Sequence, residues 1–357
     1  METGVRCPMK RIIITGCGGP AGINFVNSLR FSGEKMYLIG IDVNKYHLEW
    51  PDVDERYLVP KFTDPSYINK LNELARRTNA ELVHPQPDGE VRILSEHRER
   101  IKPKLFLPVK ETIRICQDKL ECARIWHDKG IPVAKALPVR NEADLTMAED
   151  EFGYPYWLRA RVGFSSRGSA LVRNIETAKH WIGYWAARED VDWEFIAQEY
   201  LPGKIMSFQS IWKDGGIVTS QARERLEYLY PYLSASGVTN TPTVAVTINR
   251  DDVNRIATEC VLAVDPHATG IFCVDLRENK DGVPCPTEIN AGRFFTTSFF
   301  FTRAGVNMPY YYVKLAYGEE LPRLPRYNAL PEGLYWIRHI DAPAILRRNG
   351  EWKSVLL

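Results

Sequence analysis

Apolar residues in the first third of the chain form short β-branched runs that alternate with amphipathic stretches. Arg11 to Thr15 reads RIIIT, and Tyr37 to Ile41 and Leu82 to Pro85 are similar runs, so each is expected to form a buried strand. The stretches Ile23 to Phe31 and Pro65 to Arg77 carry apolar residues at helical spacing. Repeated strand–helix units of this length predict a parallel sheet with helices on both faces.

The pattern changes in the second part of the chain. Helices are predicted from Glu111 to Asp128 and near Asp251 to Ala263. The strands predicted there are Gln198–Tyr200, Ser207–Lys213, Gly216–Arg223, Thr243–Ile248, Ile271–Leu276 and Cys285–Ile289. This succession indicates an α+β unit after the first domain, and a small hairpin or docking element is expected in the tail.

The expected fold class is therefore α/β plus α+β. The boundaries that we predict are residues 1–108 for the parallel-sheet domain, 109–325 for the second domain and 326–357 for the tail. Within the second domain we expect one part over 109–197 and another over 198–325.

Charge and cysteine content exclude several classes of protein. The 357 residues include 46 Lys plus Arg against 45 Asp plus Glu, a formal net charge of +1, so no nucleic-acid partner is expected. No apolar stretch reaches the roughly 20 residues of a membrane span, and no membrane partner is expected. Seven scattered cysteines without a C-x-x-C pair are typical of a reduced, cytoplasmic protein.

A glycine-rich turn follows the first predicted strand. Gly16-x-Gly18 precedes a helix and Asp42 ends the next strand, which matches a dinucleotide fingerprint. In that interpretation the glycines let the backbone approach a pyrophosphate, Asp42 binds a ribose hydroxyl, and the chain is a nicotinamide-dependent oxidoreductase. Any parallel sheet needs a tight turn between strand and helix at this place, so both interpretations stay open.

A second candidate site begins at Arg159, at the end of a predicted strand. A loop of small residues from Gly163 to Gly168 follows, including Ser165 and Ser166, and its backbone N–H groups could bind phosphates. Lys119 could supply a second cation. The alternatives are a surface hairpin for the loop and a solvated helix charge for the lysine.

Three oxygen-bearing side chains occur on two predicted strands near the C-terminus. Glu288 and Asn290 lie on one face because side chains alternate along a strand, and Asp275 belongs to the preceding strand. A cluster of hard oxygen ligands without His or Cys suits Mg²⁺ bound jointly with phosphate. Arg293 follows closely and could stabilise a transferring phosphoryl group.

The order of these segments resembles the ATP-grasp superfamily, particularly the branch related to the large subunit of carbamoyl-phosphate synthase. The glycine-rich turn at residues 14–22 is similar to the opening of the domain that precedes the ATP-grasp unit in that branch. The resemblance implies a Rossmann-like pre-ATP-grasp domain over 1–108. It also implies an ATP-grasp domain with a lid-bearing subdomain over 109–197 and a catalytic subdomain over 198–325.

The resemblance also assigns residues. The implied nucleotide-binding residues are Lys119, Arg159, Gly163, Ser165, Ser166, Gly168, Gln198, Glu199, Tyr200 and Leu201. The implied metal ligands are Asp275, Glu288 and Asn290, and the implied catalytic arginines are Arg159, Arg223 and Arg293. The sequence departs from the family pattern at two places. The glutamate that the family uses for the ribose hydroxyls is replaced by the run 204–207 (KIMS). Arg293 is displaced by one residue, because Ala291-Gly292 precedes it.

The reaction implied by the resemblance is ATP-dependent amide formation between a small-molecule carboxylate and an amine. It proceeds through an acyl phosphate, with ATP and Mg²⁺ as cofactors and ADP and phosphate as products. A small-molecule kinase, a nucleotide binder without turnover and the nicotinamide-dependent oxidoreductase stay open as alternatives, and so does a homodimer.

Overall fold

The computed structural model describes residues 9–163, 168–188, 194–237, 239, 242–340 and 342–349. Its strands are β1 Arg11–Thr15, β2 Tyr37–Asp42, β3 Glu55–Leu58, β4 Leu82–His84, β5 Ala136–Val139, β6 Tyr156–Ala160, β7 Ala170–Val172, β8 Phe195–Glu199, β9 Ile205–Lys213, β10 Gly216–Tyr228, β11 Pro242–Ile248, β12 Gly270–Glu278, β13 Pro284–Ala291, β14 Leu334–His339 and β15 Ala342–Arg348.

The helices follow the same chain order. They are α1 Pro20–Phe31, α2 Tyr67–Thr78, α3 Asp88–Glu96, α4 Lys110–Gln117, α5 Lys119–Asp128, α6 Glu142–Phe152, α7 Ile175–Ala186, α8 Asp251–Val264, α9 Ser298–Arg303 and α10 Met308–Ala316. In the part of the chain described above, no helix is both long enough and apolar enough to cross a membrane.

Two compact units divide the chain. Unit 1 comprises Met1–Lys110, Thr269–Ile271 and Gly292–Leu324, and unit 2 comprises Glu111–Ala268, Phe272–Ala291 and Pro325–Leu357. Residues 292–324, which the sequence-based boundaries assign to the second domain, therefore pack with the N-terminal residues. The tail forms the expected hairpin, β14–β15, which extends the large sheet of unit 2.

Unit 1 is built on a parallel sheet in the order β3-β2-β1-β4. The predicted strands β1, β2 and β4 form because their apolar runs are buried, as Ile13, Ile39 and Val83 show at 0% exposure. Sequence reasoning missed β3, whose side chains alternate in burial, and α3, which directly follows Pro87.

An aromatic cluster occupies the interior of unit 1. His84 stacks on Phe25 at a centroid distance of 4.0 Å and also contacts Phe294 and Tyr312. Burial lowers the pKa of His84 to about 3, so the imidazole is neutral at physiological pH.

Glu90, in the first turn of α3, is buried at 4% exposure. Burial raises the pKa of this carboxyl to about 7, with Asp42 adding to the effect and Thr15 and Tyr67 opposing it. The folded protein therefore binds more protons than the unfolded chain between the ordinary value of 4.5 and about 7, and the free energy of unfolding decreases as pH rises through this range.

Glu90→Gln is expected to remove this pH dependence. At pH 8 the variant should exceed the wild type in free energy of unfolding by about 3 kcal/mol, since the charged carboxylate is no longer buried. Urea unfolding at pH 5 and pH 8 measures the difference, with Glu96→Gln on the same helix as the control. Parallel pH profiles for wild type and Glu90→Gln would contradict the expectation.

Unit 2 contains two sheets. The smaller one, in the order β5-β8-β6-β7, packs apolar residues such as Leu158 and Ala197 against α6 and α7. The larger one has seven strands in the order β13-β12-β9-β10-β11-β14-β15. One face of the larger sheet carries Phe208, Phe272 and Ile289, which form a core with side chains of α5 and α8.

The predicted helix from Glu111 to Asp128 is wrong in one respect, because the chain forms two helices there, α4 and α5. Asp118 interrupts the helix with an extended backbone, φ −101° and ψ 102°. Its side chain accepts hydrogen bonds from the backbone N–H groups of Leu120 and Glu121, so it caps α5. An aspartate within an apolar helical pattern is the sequence signal for such a break.

Candidate functional site

The second face of the seven-stranded sheet is polar. Asp275 on β12 is paired in register with Glu288 on β13, and Cys273 with Asn290. Side chains alternate along both strands, so Asp275, Glu288 and Asn290 lie opposite the apolar core that Val274 and Ile289 join. The structure thus brings the three predicted metal ligands to one face.

Arg159 connects this face to the smaller sheet. Its guanidinium lies 2.6 Å from a carboxylate oxygen of Glu288, and both side chains are largely buried. Gln198, on the neighbouring strand β8, accepts a second hydrogen bond from Arg159 at 3.5 Å. Three residues predicted for nucleotide or metal binding therefore meet at one point.

Lys119 begins α5 and is buried at 8% exposure. Its Nζ donates a hydrogen bond to the carbonyl of Gly163 at 3.0 Å, at the start of the predicted phosphate loop. Ser165 and Ser166 lie outside the described residues. The described chain continues at Gly168, whose backbone is left-handed with a φ of 71°. Lys119 and Gly163 are therefore neighbours, and their role in phosphate binding stays a prediction.

Arg161 was not singled out by sequence reasoning. Its guanidinium binds the carboxylate of Asp118 at 2.6 Å and that of Glu194 at 2.8 Å. Because Asp118 caps α5, this ion pair also stabilises the first turn of the helix that carries Lys119.

The segment from Gln198 to Leu201, which the resemblance assigns to nucleotide binding, begins in strand β8. Gln198 and Leu201 are buried, whereas the side chain of Glu199 is exposed. The next turn contains Gly203, where a Cβ atom would lie 2.5 Å from Cβ of Glu278, so only glycine fits this close approach. The assignment of this segment to nucleotide binding stays a prediction.

A cavity of about 580 Å³ lies in unit 2 beside these residues. Its walls include Trp157, Tyr200 and Ile205, together with Arg225 and Arg277. The Arg277 guanidinium lies 5.2 Å from the centre of the Tyr200 ring and 5.8 Å from that of Trp157. Three flat groups thus form a stacking surface that could bind a planar ligand.

Sequence reasoning did not select Trp157 and Arg277. Trp157 stands two residues before Arg159 on β6, and Arg277 two residues after Asp275 on β12. Side chains two positions apart on a strand lie on the same face, so each of these residues shares a face with a predicted site residue. This alternation was the feature of the sequence that could have identified them.

Arg223 and Arg293, the remaining predicted arginines, lie in different units. Arg225 on β10 forms an ion pair with Asp275, and Arg223 is 1% exposed with its Nε bonded to Ser207 at 3.1 Å. Arg293 belongs to unit 1, where it pairs with Asp88. The catalytic role of Arg223 and Arg293 stays a prediction.

The donor set fits magnesium. Asp275, Glu288 and Asn290 offer oxygen donors only, and one or two carboxylates plus phosphate oxygens and water are what Mg²⁺ prefers. Among the described residues, no group of three or more His, Cys, Asp or Glu side chains could hold a metal ion. A metal held here would take its remaining oxygen ligands from phosphate and water.

The glycine-rich turn of unit 1 has a structural use. Gly16 has a left-handed φ of 53°, and a Cβ there would lie 2.4 Å from the ring of Pro87. Asp42 accepts hydrogen bonds from the backbone N–H groups of Gly18 and Asn44. The carboxylate proposed for a ribose hydroxyl is thus engaged in holding its own loop, which argues against the nicotinamide interpretation.

Comparison with known proteins supports the fold. A family model described as PylC-like, N-terminal domain, matches residues 12–105. Phosphoribosylaminoimidazole carboxylase of Candida albicans is 30% identical over 116 residues, which are 32% of this chain and 20% of that protein. D-alanine–D-alanine ligase of Pseudomonas fluorescens is 30% identical over 89 residues, which are 25% of this chain and 26% of that protein. The matched segments span about a fifth to a quarter of the length of these relatives.

Among solved structures, N5-carboxyaminoimidazole synthetase of Staphylococcus aureus in complex with ADP aligns with a TM-score of 0.70. The alignment covers 93% of this chain and 82% of that one at 17% identity. The predicted fold class, a parallel-sheet domain followed by an ATP-grasp unit, is confirmed. The comparisons do not single out the carbamoyl-phosphate synthase branch, and that narrower assignment stays a prediction.

Proposed function

We propose that the chain is an ATP-dependent ligase that joins a carboxylate to an amine through an acyl phosphate and releases ADP and phosphate. The observation that carries the proposal is the ion pair between Arg159 and Glu288, which joins a cation of one sheet to a candidate metal ligand of the other. A cation and a carboxylate that meet in this way suit a nucleoside triphosphate bound with a metal ion. The ATP-grasp fold supports the same conclusion.

ATP is proposed to bind across the two sheets of unit 2. The cavity beside Trp157, Tyr200 and Arg277 has room for the base, which would stack on these flat groups. Lys119 and Arg159 would neutralise the phosphates, and the loop that begins at Gly163, with Ser165 and Ser166, would cover them.

Magnesium is proposed to be held by Asp275, Glu288 and Asn290 together with phosphate oxygens. When bound, it would neutralise charge on the transferring phosphoryl group. Glu288 would then exchange its pairing with Arg159 for the metal, which frees the guanidinium to contact the nucleotide phosphates. This exchange of partners explains why the two side chains are already adjacent.

The chemistry then requires positioning and charge stabilisation. A carboxylate oxygen of the substrate attacks the γ-phosphorus of ATP, ADP leaves, and an amine displaces phosphate from the acyl phosphate. Arg159 and Arg223 are proposed to stabilise the negative charge that develops. A cytoplasmic location and a homodimer stay predictions.

The test is nucleotide binding followed by turnover. Calorimetric titration with a non-hydrolysable ATP analogue is expected to show binding that magnesium strengthens, whereas NADH should not bind. Mixtures of carboxylates and amines are then screened for ADP release with the purified protein.

The outcomes separate the candidate functions. ADP release that needs both a carboxylate and an amine supports the ligase, and ADP release with a hydroxyl acceptor alone would indicate a kinase. NADH binding that Asp42→Ala abolishes, without a response to ATP, would overturn the proposal.

A further inference from the structure

One guanidinium on the wall of the cavity in unit 2 has no carboxylate partner. Arg277 on β12 is partly buried, and its Nε donates one long hydrogen bond, 3.4 Å, to the carbonyl of Gly203. Within the described ranges of the chain it forms no ion pair, whereas Arg225, which lines the same cavity, is paired with Asp275. The terminal nitrogens of Arg277 therefore have N–H donors to offer a ligand.

Arg277 lies over two aromatic rings of the cavity wall. Its guanidinium carbon is 5.2 Å from the centre of the Tyr200 ring and 5.8 Å from that of Trp157. The centres of these two rings are 6.3 Å apart, and the rings are tilted by 43° to each other. A guanidinium stacks on aromatic faces, so a base that stacks on the same two rings would lie beside it. The N–H groups of Arg277 would then meet an edge of the base.

The purine bases differ at the edge that such a fork recognises. Guanine presents two acceptors there, O6 and N7, and an arginine donates to both at once. Adenine presents N7 beside its N6 amino group, which is itself a donor, so the fork finds a single acceptor. An arginine at this edge therefore favours guanine more than a wall without donors would.

A second charged side chain of the cavity wall fits the same base. Glu227 is exposed, and in the part of the chain that the structure describes its carboxylate forms no ion pair or hydrogen bond, with Arg277 or any other residue. Guanine carries two donors next to O6, N1–H and the N2 amino group, and a carboxylate accepts from both. Adenine has no donor at either position. The cavity thus offers separate donor and acceptor groups that match guanine.

We propose that Arg277 and Glu227 make the nucleotide site accept guanine as well as adenine, so that GTP can replace ATP as the phosphoryl donor. The inference rests on the proposed function, since it concerns the base of the nucleotide that is proposed to bind there. The reaction is otherwise unchanged: the same γ-phosphoryl group is transferred, and GDP leaves in place of ADP.

The probes are the non-hydrolysable imido analogues of GTP and ATP, titrated calorimetrically with magnesium into the full chain. The wild type is expected to bind the guanine analogue within about tenfold of the adenine analogue. Arg277→Leu removes the fork but keeps an apolar wall, so it should weaken the guanine analogue at least about tenfold and the adenine analogue less than about threefold. Arg277→Lys, which keeps the charge but not the fork, is expected to be intermediate.

Arg255→Leu is the matched control. It removes an exposed arginine of α8 and should leave both affinities within about twofold of the wild type. Melting temperatures show whether each variant is folded, and Arg277→Lys serves as the test if Arg277→Leu is not.

The outcomes separate this inference from the ligase proposal. Binding of the guanine analogue to the wild type more than about tenfold weaker than that of the adenine analogue would overturn the inference, as would an Arg277→Leu variant that weakens both equally. ADP release that needs a carboxylate and an amine would sustain the ligase proposal under either result. Guanine binding that needs Arg277, without turnover of either nucleotide, would sustain the inference while the ligase proposal fails.

Discussion

Glu288→Gln is expected to lower the turnover of the proposed reaction by about 10²–10³-fold, the scale seen when one group that stabilises transition-state charge is removed. Glu288 is paired with Arg159 at 2.6 Å and lies opposite Asp275 in the sheet. The glutamine keeps the size of the side chain, but it removes a charged metal ligand and the counter-charge of the arginine. Steady-state ADP release at saturating ATP, measured over a range of magnesium concentrations, gives the change in kcat and in the magnesium requirement.

Glu259→Gln is the matched control for this substitution. Glu259 lies on α8 and pairs with Arg255 four residues away, and its side chain is 44% exposed. It is expected to leave kcat within about twofold of the wild type, since an exposed pair of this kind contributes little. If Glu288→Gln also stayed within about twofold, with an unchanged magnesium requirement, Glu288 would not be a metal ligand of the reaction.

Trp126→Ala is expected to reduce the free energy of unfolding by about 3–5 kcal/mol, the usual result of emptying the space of a large buried aromatic side chain. Trp126, on α5, is 1% exposed and belongs to the core beneath the seven-stranded sheet. Its Nε1 donates a hydrogen bond to the backbone carbonyl of Cys260 on α8 at 3.2 Å. Urea unfolding followed by circular dichroism measures the loss as a lower midpoint.

Two further variants make the result specific. Trp126→Phe fills most of the space and loses the hydrogen bond, so it should cost less than half as much. Trp50→Ala removes an indole that is 74% exposed and should change the free energy of unfolding by less than about 0.5 kcal/mol. A loss for Trp126→Ala no larger than that for Trp50→Ala would show that this core does not stabilise the unit.

Part of the candidate site could be predicted, because the face on which its residues lie depends only on neighbouring positions in the sequence. Asp275, Glu288 and Asn290 lie on one face since side chains alternate along a strand, and this alternation can be read from a short segment. The break at Asp118 and the stacking surface at Trp157 and Arg277 were not predicted. The first depends on a cap competing with a helical pattern, and the second on packing between strands that are far apart in the chain.

The amino-acid sequence by itself determined the class of fold, the parallel strands of unit 1 and the face on which the candidate metal ligands lie. These features depend on hydrophobic periodicity and on residues within a few positions of one another. The tertiary structure alone decided that Arg159 meets Glu288, that residues 292–324 pack with unit 1, and that the tail strands join the seven-stranded sheet beside β11. Such pairings depend on strand order and register, which are set by the packing of the whole sheet and not by any one segment.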